Sequence, residues 1–157
     1  MTAKTIVLSI AGGFLHSTSP AGLNLSASHF KRVFDDGTQE RHRWQLEIPG
    51  NFSASPKLFP TFAMTSATSG SVVVGGRIIS VGSGVDIDGA GFDADNTTTL
   101  GIPGTAGHSS RPEIDLTSSC TMAASDNALI EFFRDGGDGS DTATGDLELI
   151  GLSFTYE

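Results

Sequence analysis

Residues 41–48, RHRWQLEI, alternate strictly: Arg41, Arg43, Gln45 and Glu47 fall on one side, and His42, Trp44, Leu46 and Ile48 on the other. A period of two is that of a strand with one buried face, so the segment predicts a half-buried strand, closed by Pro49-Gly50. A shorter copy of the pattern runs over residues 5–10, with Ile6, Leu8 and Ile10 on one face and Gly12-Gly13 after it. Residues 58–67 and 71–81 read as a hairpin joined at Ser69-Gly70. Inside VVVGGRIISV, Gly75-Gly76 interrupts an apolar run, which predicts a β-bulge or a close backbone approach. Three further strands are expected at 111–117, 128–134 and 146–156, the last with Ile150, Leu152, Phe154 and Tyr156 on one face.

Between these elements the chain is irregular. Over 14–37, Phe14, His16, Leu23, Leu25, Phe30 and Phe34 are scattered among Ser, Pro, Asn and Gly, with room for a short strand near 23–30. Residues 82–108 are rich in Gly, Asp, Asn and Thr and read as a long excursion. Twenty Gly support many turns, and ten Phe supply much of the core volume. At 157 residues the chain suits one domain able to bury its own core. The expected fold is all-β, an antiparallel two-sheet sandwich or jelly roll of about eight strands. Residues 1–39 are read as an N-terminal strand and extended arm, and 40–157 as the jelly-roll domain. No internal repeat suggests a propeller or solenoid.

A net charge of −9 argues against nucleic acid and anionic membrane as partners, since both bind through clustered Lys and Arg. The charge is uneven: residues 1–60 carry a net +2 and residues 61–157 a net −11. This polarity suits either solubility or an N-terminal part that faces an acidic partner. One cysteine, Cys120, cannot form an intrachain disulfide and is expected to be a buried thiol. The opening MTAKTIVLSI is read as strand rather than signal peptide, because its apolar run is short and alternating.

Motifs for chemistry are missing: there is no GxxxxGK[ST], no HExxH and no GxSxG. His16, His29, His42 and His108 have no ligand spacing, and His42, beside Trp44 on the inward side, is expected to be a packed core histidine. Asp86, Asp88, Asp93 and Asp95 resemble the start of a calcium loop, but position twelve is Thr97 rather than Glu. That set, and Asp135, Asp138 and Asp141, read as solvated turn residues, with cation binding as the alternative. A glycosidase needs two convergent carboxylates, and nothing in the sequence selects a pair. No catalytic residue, metal ligand or cofactor is expected.

The segments HRWQLEIP, SVVVGGRIISVGSGVDID, LGIPGTAG and ALIEFFRDGGDGSDTATGDLELIGLSFTYE, taken in order, resemble small jelly-roll proteins of tailed-bacteriophage structural modules. In that group a strand ending in Arg-Asp leads through an Asp-rich loop and a Gly-Asp step into a closing strand. Here these are Arg134-Asp135, the loop to Thr144, Gly145-Asp146 and the strand to Tyr156, with Ile150-Gly151-Leu152 at its centre. The resemblance spans about 40–157. It implies a structural virion protein: a decoration (cement) protein, made in the host cytoplasm, that binds the major capsid protein on the capsid exterior, commonly as a homotrimer. A head- or tail-fibre module binding a receptor or glycan is the alternative. Trp44 and Tyr156, both on expected inward faces, leave that alternative without an exposed Trp or Tyr platform.

The N-terminal segment supplies the candidate partner contacts: Phe14, His16, Phe30, Lys31, Arg32 and Phe34. Isolated aromatics often dominate contact energy. Equally, the three Phe could cap the domain's own core.

Overall fold

The computed structural model describes residues 2–25, 28–118 and 121–157; the Cys120 expectation lies outside them. Within these residues the chain forms β1 (Lys4–Leu8), β2 (Phe14–Leu15), β3 (Gly22–Leu25), β4 (Phe30–Phe34), β5 (Gln39–Glu47), β6 (Lys57–Met64), β7 (Ser71–Val81), β8 (Asn96–Gly101), β9 (Ser109–Ser110), β10 (Ile114–Asp115), β11 (Asn127–Asp135) and β12 (Leu147–Tyr156). Among the described residues no helix is long and apolar enough to cross a membrane.

All strand pairs are antiparallel and fall into two sheets. The seven-stranded sheet runs β10-β6-β12-β4-β3, with β1 also on β12 and β9 on β6; the five-stranded sheet runs β2-β5-β11-β7-β8. Their inner faces meet in one core that includes Phe34, Phe62, Phe132, Phe154, Leu58, Leu147, Ile78 and Ile130. This is the expected all-β sandwich, with twelve strands where about eight were expected. The segment read as an extended arm supplies β1 to β4, which enter both sheets.

Alternation decides most of the inward set. On β5, His42 and Trp44 are buried while Gln45 and Glu47 are exposed. His42 packs edge-on against Trp44, their ring centroids 4.6 Å apart, and its Nε2 donates to the carbonyl of Gly12 at 3.1 Å. Trp44 donates from Nε1 to Ser9 at 2.8 Å. Residues 9–12 thus tie β1 in one sheet to β5 in the other.

Three expectations are corrected. Residues 58–67 and 71–81 do not pair as a hairpin: β6 joins β12, β10 and β9, and β7 joins β11 and β8. The turn at Ser69-Gly70, with Gly70 at φ +96°, carries the chain from one sheet to the other. Ile150 does not share the face of Leu152, Phe154 and Tyr156, because a register shift between Leu149 and Gly151 turns it outward. One extra residue in a strand reverses the side on which everything before it points. Of residues 111–117, only Ile114–Asp115 is strand.

At Gly75-Gly76 the register stays continuous, so the reason for the glycines is close approach rather than a bulge. A Cβ on Gly75 would lie 2.3 Å from the ring of Phe133, and one on Gly76 would lie 2.5 Å from Leu58. The absence of side chains lets Phe133 lie flat on the outer face and Leu58 fill the core beneath.

Candidate functional site

The outer face of the seven-stranded sheet is built from the polar half of each alternation. On β6, Leu58, Pro60, Phe62 and Met64 are buried, which turns Lys57, Phe59, Thr61 and Ala63 outward. Strand pairing sets these beside residues distant in sequence. Val7, Ser153 and Phe59 form one row across β1, β12 and β6, and Thr5, Thr155 and Lys57 form the next.

At this end of the sheet lies an open cleft of about 420 Å³. Its volume falls in the usual range for small-ligand sites, roughly 300–1,000 Å³. Phe59 contributes an aromatic ring to it; Thr5, Thr155 and Ser55 contribute hydroxyls; Glu113 contributes a carboxylate. The guanidinium of Arg111 lies over the Phe59 ring, 4.7 Å from its centroid. Lys57 donates to Glu113 at 2.7 Å, and that carboxylate holds the amine above the ordinary lysine range. Ser55, at φ +56°, is one of two non-glycine residues in the left-handed region among the described residues and sits on the cleft wall. Such strain tends to gather at functional sites.

Chemically, the arrangement offers an apolar ring beside hydroxyl and charged hydrogen-bonding groups. That combination serves a ligand with apolar C–H faces and many hydroxyls. Among the described residues no group of three or more His, Cys, Asp or Glu side chains converges as for a metal ion.

No family model matches the chain, and no curated protein matches it. Solved structures do. The CBM36-1 domain of a multidomain xylanase from the hindgut metagenome of Trinervitermes trinervoides superposes with a TM-score of 0.56 at 10% identity, covering 96% of each chain. CBM35 from Cellvibrio japonicus Abf62 superposes at 0.50 and 13% identity, covering 96% of this chain and 92% of its own. The fold is a jelly roll. The phage origin implied by the sequence resemblance is not carried by these likenesses.

The six residues singled out in the N-terminal segment do not form one surface. Phe34 is fully buried and meets Phe132 edge-on at 5.2 Å, and Arg32 is 8% exposed, donating from Nε to Ile10 at 3.3 Å. Both belong to the domain's own packing. Phe14 and Phe30 are about half exposed, at 43% and 52%. Lys31 is engaged by Glu148 at 2.6 Å, and both line a depression of about 250 Å³. His16 is partly buried, and its Nδ1 accepts from the backbone amides of Thr18 and Ser19 at 3.2 and 3.1 Å.

The acidic clusters are spent on structure. Asp86 accepts the amide of Asp88 in a tight turn, Asp93 holds Thr121, and Asp95 pairs with Arg41 and Arg77. Asp141, its side chain fully buried, takes two hydrogen bonds from Arg134 and one from the amide of Val73. The Arg-Asp and Gly-Asp steps of the sequence motif therefore fold the loop.

Of the cleft residues only Tyr156 was singled out in the sequence, and there as an inward-facing residue. The usable signal was the outward position of Phe59 in an alternating strand.

Proposed function

We propose that this protein is a non-catalytic carbohydrate-binding module, with the cleft around Phe59 as its binding site. This is the glycan-binding alternative rather than the capsid reading. The observation that carries it is the cleft itself: an outward aromatic ring flanked by hydroxyls and by the Lys57–Glu113 pair. Stacking an apolar sugar face on a ring removes apolar surface from water, and the flanking groups satisfy the hydroxyls. The two neighbours named above carry CBM names, those of carbohydrate-binding modules, on the same fold. That likeness supports the reading without choosing a sugar.

A glycan array tests it. The expected result is saturable binding to a restricted set of oligosaccharides with no release of reducing ends. Flat signals across the array would overturn the reading.

A second reading has its own observation. Phe14, Leu15, Leu23, Leu25 and Phe30 are 43–64% exposed on β2, β3 and β4. An apolar fringe of this kind supports association, with the major capsid protein at a virion's exterior or between copies in a homotrimer. Co-sedimentation with capsid shells and a trimeric mass would favour it over the module.

A further inference from the structure

On the outer face of the five-stranded sheet, Glu131 is fully buried at the centre of three guanidinium groups. Its Oε1 accepts from Arg41 Nη1 at 2.5 Å and Arg77 Nε at 2.6 Å, and its Oε2 from Arg43 Nε at 2.6 Å. Burial pushes its pKa up, but the hydrogen bonds from Arg43, Arg41 and Arg77 outweigh that and hold it below the ordinary glutamate range. Asp95 adds a second carboxylate, 3.1 Å from Arg41 and 3.5 Å from Arg77. Three cations thus face two anions, leaving an excess positive charge in a chain whose net charge is −9.

The three arginines differ in what they have left to give. Arg41 is spent: both Nη atoms are engaged, by Glu131, Gln39 and Asp95, and its guanidinium lies 4.4 Å over Phe133. Arg43 bonds only through Nε, and among the described residues neither of its Nη atoms has a partner. Nη2 of Arg77 is likewise without one. The ring of Phe92 meets both guanidinium groups, its centroid 4.9 Å from the Cζ of Arg43 and 4.2 Å from that of Arg77. Both side chains reach solvent, at 18% and 20% exposure. Arg43 faces Phe14 across the β2–β5 pair, and His16, two residues on, feels its charge.

We infer that Arg43 and Arg77, backed by Glu131 and held by Phe92, form a second binding site, for a carboxylate group. A guanidinium presents parallel N–H groups that match a planar carboxylate, and these two are pre-ordered by stacking and by Glu131. The site is on the opposite sheet from the Phe59 cleft and does not rest on the carbohydrate reading.

The test is an NMR titration of the full chain, following the Nε–H resonances of Arg43 and Arg77 with sodium acetate, sodium sulfate, and sodium chloride at matched ionic strength. Acetate is expected to shift both resonances saturably and chloride to leave them in place. Arg43→Lys, which keeps the charge and loses the fork, is expected to weaken acetate binding about tenfold. No saturable shift with acetate, or one that Arg43→Lys leaves unchanged, would overturn the inference. Sulfate binding as tightly as acetate would overturn its assignment to carboxylates. The wild-type titration decides the matter even if the variant does not fold.

Discussion

The guanidinium of Arg134 donates to both oxygens of Asp141 at 3.0 and 2.8 Å, and to the carbonyls of Phe34, Gly145 and Ala143. Both side chains of the pair are fully buried, so neither can be rehydrated when the other is lost. Asp141→Ala is therefore expected to destabilise the fold by about 3–5 kcal/mol in denaturant unfolding, by stranding a buried cation. His42 sets a pH dependence. Burial, with Arg32 adding to it, lowers its pKa to about 4 against the pull of the Gly12 carbonyl. Its Nδ1 is buried without a partner among the described residues. The folded state therefore disfavours protonation. Stability from this group is complete above the unfolded value of about 6.5 and is lost as pH falls toward 4, by at most about 3 kcal/mol. Denaturant midpoints measured over that window should fall for the wild type and flatten for His42→Gln. Equal slopes would refute the assignment.

At the scale of elements, strands with one buried face were legible and their partners were not. The alternation of RHRWQLEI marks β5 and its inward His42 and Trp44 because a two-residue period has one structural reading. Ser69-Gly70 announces a turn, but a turn residue cannot say whether the chain folds back in one sheet or crosses to the other. The bulge before Gly151 was invisible for a related reason, since an inserted residue looks like any other until a partner strand fixes the register. It has a measurable consequence. Leu152→Ala should cost about 2–5 kcal/mol, as for other fully buried leucines, whereas Ile150→Ala should cost well under half of that. Similar losses at the two positions would place Ile150 in the core. The short strands β2, β3, β9 and β10 had too few residues to show a period; pairing alone defines them.

At the scale of the whole molecule, the sandwich class followed from composition and alternation, whereas the candidate site did not. Thr5, Phe59 and Thr155 come from β1, β6 and β12, and Glu113 from the residue just before β10, so only the pairing of distant strands assembles them. Trp44 and Tyr156 are both buried, so neither offers an exposed platform, although Tyr156 borders the cleft. The outward aromatic was a Phe. The Arg-Asp loop that suggested a lineage proves to be a folding device centred on Arg134, which different functions can share. The central claim is that the Phe59 cleft holds sugar. Calorimetric titration of the wild type and Phe59→Ala with the best array oligosaccharide tests it most directly. Saturable binding by the wild type and at least about a tenfold loss in the variant are expected, with the melting temperature little changed because Phe59 lies outside the core. Equal affinity for the two proteins would contradict it.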